Sequence, residues 1–269
     1  MAKLLLGVLA GIALVYAALL VALYFGQRSL LYLPDTSRPQ LGSLTELGFR
    51  EVTLETGDGL ALLSWYRPPD GTAPVVSYFH GNGGHLGYRT DRMIRFAQQG
   101  LGVLLLEYRG YGGNPGRPTE AGLYADAEAA LDFVARQGIP VNRLVLYGES
   151  LGSGVAVHMA AGRQIAALIL EAPFTLLADA ASYHYPYVPV SLLLRDRFDS
   201  LAAIGHVRAP VLVLHGERDR VVPVRLGHAL FAAAPEPKEG WFSPEAGHED
   251  IRQFGGLDAA FDFIKRRVH

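Results

Sequence analysis

Six short, mostly apolar runs recur along the chain, at 75–79, 101–108, 143–147, 167–171, 211–215 and 240–242. A strand that is apolar at both alternating positions must be covered on both faces, which is the condition of a parallel sheet lying between helices. The intervals supply the covers. Helical stretches at 86–99, 120–137 and 224–234 stop at Gly100, Gly138 and Pro235, residues that end a helix for backbone reasons. Strand–helix–strand order of this kind predicts a mainly parallel sheet. A hairpin precedes it, with strands at 49–56 and 60–66 joined through Gly57-Asp58-Gly59, a pattern that supplies the positive φ of a tight turn.

Ahead of this domain, residues 4–25 carry no charge across 22 positions. As a helix they rise about 33 Å, enough to cross a hydrocarbon layer about 30 Å thick. A cleaved signal peptide is the competing reading, but its apolar region usually spans about 7–15 residues and closes on a small-x-small site. Here the run ends in Tyr24-Phe25-Gly26-Gln27-Arg28, without such a site. A buried core helix is the third reading. The expectation is an uncleaved anchor over 1–26, a juxtamembrane linker over 27–44 and a folded domain over 45–269, with a cap insertion at about 172–209. Lys3 stands on one side of the run and Arg28 and Arg38 on the other, so the positive-inside rule gives no vote. The three-residue head and the large following domain tip the expectation toward an extracytoplasmic domain.

Composition narrows the function. Half the residues are hydrophobic and 19% are charged, which excludes a disordered polar chain. The formal net charge of −2 provides no positive field to gather phosphates, so nucleic acid is not an expected partner. With no cysteine, disulfides, thiolate metal sites and cysteine nucleophiles are excluded. No histidine spacing suggests a metal site, and no cofactor is expected.

In such sheets chemistry gathers at the carboxyl ends of the strands. Gly148-Glu149-Ser150-Leu151-Gly152 follows one strand and precedes a small-residue helix, the strand–turn–helix setting of a nucleophile elbow. His80-Gly81-Asn82-Gly83-Gly84 follows the strand 75–79, where backbone amides can face a developing oxyanion; the amides of Asn82 and Leu151 are the candidate donors. A phosphate-binding loop would use the same amides, but the chain has no G-x-x-x-x-G-K-[ST] pattern there. After the strand 211–215, Glu217 and Asp219 both offer a carboxylate. Asp219 is the candidate acid because it lies far enough into the loop to turn back toward the sheet, whereas Glu217 opens the turn. Downstream histidines are His228, His248 and His269. His228 falls in a helix and His269 ends the sequence, which leaves His248, in the loop after the last strand, as the candidate base.

Taken in the order Ser150, Asp219, His248 on an alternating sheet, these motifs resemble the α/β-hydrolase family over roughly residues 45–269. Within it, the apolar anchor, Leu30-Leu31-Tyr32-Leu33-Pro34, His80-Gly81-Asn82-Gly83-Gly84, Tyr108-Arg109-Gly110-Tyr111-Gly112 and Asp196-Arg197-Phe198-Asp199 are similar to the Bem46-like branch. The resemblance implies an α/β-hydrolase fold: a mainly parallel central sheet with helices on both faces and a small cap, here preceded by one N-terminal transmembrane helix. It also implies serine esterase, lipase or acyl-thioesterase chemistry on an acyl ester, lipid or acyl-protein substrate. A membrane-tethered aminopeptidase or amidase and a non-catalytic scaffold are the alternatives. The apolar cap stretch, with Tyr183, Tyr187 and Leu193, is the expected substrate contact, and residues 4–25 the expected contact with the lipid bilayer.

Overall fold

The computed structural model describes residues 1–268; His269, set aside above as a base, lies outside the described residues. An unbroken helix α1 (Ala2–Leu31) opens the chain, at about 45 Å long enough to cross a membrane. None of its residues is buried. The two-residue strand β1 (Leu33–Pro34) follows, and then the hairpin β2 (Arg50–Glu55) and β3 (Ala61–Arg67). Beyond it come β4 (Val75–Phe79), β5 (Gly83–Gly84), α2 (Thr90–Gln98), β6 (Gly102–Leu106), α3 (Glu120–Arg136), β7 (Leu144–Glu149), α4 (Leu151–Ala160) and β8 (Ala167–Glu171). The cap region holds α5 (Leu177–His184), α6 (Val190–Leu193) and α7 (Ser200–Ile204). The chain closes with β9 (Val211–Gly216), α8 (Val224–Ala233), β10 (Lys238–Ser243) and α9 (Gly256–Arg267).

Eight strands form one sheet in the order β10-β9-β8-β7-β4-β6-β3-β2. Its hairpin end is antiparallel, and the pairs from β6 to β10 are parallel. Double-sided burial is visible within single strands. In β6, Leu104 and Leu106 pack with α3 and α4 on one face, while Val103 and Leu105 pack with α2 and α9 on the other. The strand order reverses direction at β4, and the loops after β4 and β7 therefore open side by side at the carboxyl edge.

Two sequence expectations meet a different arrangement. The predicted helix at 86–99 is a 3-10 turn (Leu86–Arg89) followed by α2, because the His85 side chain accepts from the Gly87 amide and caps the first turn. The segment 27–44, expected as a juxtamembrane linker, continues α1 to Leu31 and then packs against the domain. Tyr32 and Leu44 are buried, and β1 pairs with β5 in parallel. The Leu33 amide donates to the Asn82 carbonyl at 3.0 Å and the Asp35 amide to that of Gly84 at 3.1 Å. Tyr32 and Leu44 find cover on the core while Leu30 and Leu33 stay more than half exposed, and the backbone of the stretch finds partners in the loop after β4.

Candidate active site

Ser150 occupies the turn between β7 and α4 with φ of +50° and ψ of −115°, backbone values costly for a residue with a Cβ. The neighbouring glycines make that turn possible. A Cβ on Gly152 would lie 2.0 Å from the Phe79 carbonyl oxygen, and one on Gly148 would lie 2.4 Å from the Gly152 carbonyl oxygen. A side chain at 152 would push the elbow off β4, and one at 148 would push α4 off the end of β7. The Ser150 amide is fixed by the Glu171 carbonyl at 2.8 Å, and the Ser153 amide donates to the Ser150 carbonyl at 2.8 Å.

His248 comes from the loop after β10 and Asp219 from the loop after β9. His248 Nε2 lies 3.0 Å from Ser150 Oγ, and its Nδ1 lies 2.7 Å from Asp219 Oδ2. The carboxylate accepts at Nδ1–H, so Nε2 is left as the acceptor for the serine hydroxyl. Asp219 accepts in addition the amides of Val221 and Val222 on Oδ1, both at 2.8 Å. His215 Nε2 lies 3.2 Å from Asp219 Oδ2 and 2.9 Å from the Val222 carbonyl. Burial works against the Asp219 charge, but the bonds from His215, His248 and Val222 outweigh it and hold the carboxyl far below the ordinary range. Burial likewise disfavours the His248 cation; the Asp219 bond and charge outweigh that, with Glu149 and Glu171 adding to them, and raise the imidazole above its ordinary value.

Asn82 is held by three bonds. Its side-chain Nδ2 donates to the Leu31 carbonyl at 2.9 Å, and its own carbonyl accepts from the Leu33 amide and from the Tyr111 hydroxyl at 2.8 Å. The amides of Asn82 and Leu151 donate to nothing among the described residues, and both residues line a cavity with Ser150. The expected serine, acid, base and amide residues are thus brought to one place.

Two cavities meet at Ser150. One, about 320 Å³, is largely apolar and runs between α1 and the cap. Leu193 lines it as expected, but Tyr183 and Tyr187 do not. On α5 the lining residues Leu177, Ala180, Ala181 and His184 follow helical spacing, which turns Tyr183 to the outer face. It is 52% exposed, and Tyr187, in the loop after α5, is 86% exposed. Sequence reasoning missed the opposite wall, formed by Leu23, Gln27, Leu30 and Leu31 of α1. Their i, i+4, i+7, i+8 spacing was a readable face, but nothing in the pattern said that it returns to the serine.

The second cavity, about 620 Å³, is polar. Its floor holds two ion pairs, Arg89 with Glu149 at 3.0 Å and Arg92 with Glu171 at 2.5 Å. The Tyr78 hydroxyl donates to Glu149 at 2.6 Å and the Tyr147 hydroxyl to Glu171. Burial opposes the Glu149 charge, but Arg89 and Arg92 overcome it and hold the carboxyl well below its usual range. Arg89 also donates to the Gly83 carbonyl at 2.8 Å, so one guanidinium ties the loop after β4 to the serine turn. Neither arginine carried a sequence signal.

A family model described as serine aminopeptidase, S33, matches residues 71–203. A protein of Mycobacterium tuberculosis, Rv2307c, is 42% identical over 266 residues, covering 96% of this chain and 94% of its own. The bem46 protein of Schizosaccharomyces pombe is 32% identical over 245 residues, covering 85% and 82%. The chain belongs to the α/β-hydrolase family, in its Bem46-like branch. The fold agrees with this. The Pyrococcus furiosus esterase Pf2001 superposes with a TM-score of 0.73 over 88% of this chain and 100% of that one, at 20% identity. As an α/β-hydrolase, the domain carries its two cavities where the family's sheet places its loops, at the carboxyl edge.

Proposed function

We propose that this α/β-hydrolase is a membrane-anchored serine hydrolase that cleaves carboxylic ester or thioester bonds of acyl substrates. The observation that carries the reading is the continuous relay from Asp219 through His248 to Ser150, at 2.7 and 3.0 Å, beside two amides without a partner among the described residues. Ser150 attacks the acyl carbonyl as His248 takes its proton. Asp219 holds the imidazole in the tautomer that accepts it, and the amides of Asn82 and Leu151 stabilise the oxyanion. His248 then returns the proton to the leaving alcohol or thiol, and water, activated by the same imidazole, releases the acid. The apolar cavity favours an acyl chain on one side of the serine, and the polar cavity a hydrophilic leaving group on the other. The esterase named among the structural neighbours is in keeping with this chemistry.

Ser150→Ala is expected to lower turnover of p-nitrophenyl acyl esters at least about 10³-fold and to abolish labelling by a fluorophosphonate probe. Retained labelling would remove Ser150 from the role. A second reading, cleavage of amide bonds at a free amino terminus, draws on the aminopeptidase description of the family and on Asp35 and Glu249 in the polar cavity, which could receive an ammonium. Faster turnover of aminoacyl p-nitroanilides than of esters would favour it.

A further inference from the structure

Along α1 the charged residues resume at Arg28 after the uncharged run, and along the cap they resume at Arg195. Between Asp179 and Arg195 the cap carries no Asp, Glu, Lys or Arg. These two boundaries are bonded to one another. Gln27 Nε2 donates to the Leu193 carbonyl at 3.1 Å, and Gln27 Oε1 accepts from the Arg195 amide at 2.7 Å. Arg28 grips Asp196 through Nε and Nη2, at 2.8 and 2.9 Å. From that level both segments run the same way without charge, and they touch again at a distance. The Tyr16 hydroxyl donates to the Tyr187 carbonyl at 2.7 Å. Tyr16 precedes Phe25, the end of the uncharged run, by nine residues, or about 14 Å of helix, close to half of a hydrocarbon layer about 30 Å thick. On the outside of this part of the cap, Tyr187 and Leu192 are 86% and 83% exposed, and Tyr183 and Tyr185 are also exposed.

We infer that the cap segment 180–194 is immersed in one leaflet of the bilayer beside the C-terminal half of α1, and that the apolar cavity between them opens into lipid hydrocarbon. An α1 that crosses the membrane cannot leave this segment in water, because the two share one height. The substrate class follows: a bilayer-resident acyl lipid whose chain enters sideways between Leu23, Leu30 and Leu193, while its polar portion lies in the cavity of Arg89 and Glu149. This substrate assignment rests on the serine-hydrolase reading above; the immersion of the cap rests only on α1 being an anchor.

The absence of cysteine permits a clean test. Single variants Leu192→Cys, Tyr187→Cys, Ile12→Cys and Arg136→Cys of the full chain are labelled with the NBD fluorophore and reconstituted in phosphatidylcholine vesicles with and without doxyl-labelled lipid. The label at 12 reports the anchor and that at 136, on the opposite end of the domain, reports water. Immersion predicts blue-shifted emission and several-fold stronger doxyl quenching at 187 and 192 than at 136. A lipid-like signal at 12 with water-like signals at 187 and 192 overturns the inference while leaving the anchor intact; water-like signals at all four positions overturn both. For the cavity, Leu30→Trp is expected to lower the ratio of long-chain to acetyl ester turnover several-fold, with the lipid-facing Val21→Trp as comparison. An unchanged ratio overturns the lateral route, whereas loss of Ser150-dependent turnover in the unaltered chain would instead refute the hydrolase reading.

Discussion

At Gly152 a methyl group would meet the backbone of β4 rather than a side chain that can swing aside. Gly152→Ala is therefore expected to destabilise the fold by about 3 kcal/mol or more, read as a lowered unfolding midpoint together with lost fluorophosphonate labelling. The relay has a pH signature. Its base must be neutral, and His248 is raised above the ordinary imidazole value of about 6.5. Activity should thus fall on acidification through an apparent pKa above that value, and a profile flat from about pH 8 to pH 5 would contradict it. Asp219→Asn removes the charge that raises the imidazole, so the acid limb should shift to lower pH while turnover drops roughly 10⁴-fold. Stability follows the opposite sign for the two partners. The contribution of Asp219 is present above an unfolded value of about 3.9 and is lost as pH falls through its depressed folded value. That of His248 is complete below about 6.5 and is lost as pH rises through its raised one. At this scale the sequence was most legible where one residue type is indispensable. Ser150, with glycines two positions away on each side, and His248 after the last strand stood out, whereas Arg89 and His215, which bond to Glu149 and Asp219 beside them across 60 and 4 residues, looked like any other charged or strand residue.

Among the elements, α1 and the cap are joined by a bonded cluster that is half hidden from water. Asp196 is 3% exposed and accepts from Arg28 and from the Tyr32 hydroxyl. Arg28→Ala leaves that carboxylate with only the tyrosine, at an expected cost of about 1–3 kcal/mol, measurable as a lower melting temperature; Arg28→Lys should recover part of it because one ammonium cannot replace a two-pronged guanidinium. Strand limits at 75–79 and 167–171 coincide with β4 and β8, since apolar runs bounded by turn residues carry their own ends. The wall that α1 lends to the cavity was not legible, because helical periodicity gives a face but not its partner. The aromatic cap residues were misjudged for the same reason: hydrophobicity marked the stretch, and only the phase of α5 decides which side chains look inward.

For the molecule as a whole, the serine at the meeting point of an apolar and a polar cavity sets a length dependence. Each acyl methylene that becomes buried contributes at most about 0.8 kcal/mol, roughly a fourfold gain in kcat/KM. Across a series of p-nitrophenyl esters from acetyl to lauroyl, kcat/KM should climb and then level off once the space beneath the cap is filled. A series without any rise beyond acetyl would speak against an acyl chain as the occupant. The parallel sheet and its covering helices were readable from the rhythm of apolar runs, while the joint between the N-terminal helix and the rest depends on contacts between segments more than 160 residues apart, which no local pattern encodes.

That joint governs where the polypeptide can be cut. The carbonyl of Leu31 and the backbone of Leu33 and Asp35 brace the loop that presents Asn82. A foreign leader spliced ahead of Gln27 would inherit the brace. Trimming to Thr36, by contrast, would remove those bonds and leave the Asn82 loop to the Tyr111 hydroxyl and the Arg89 guanidinium, so a shortened version is expected to lose turnover even though Ser150, His248 and Asp219 are all still in place.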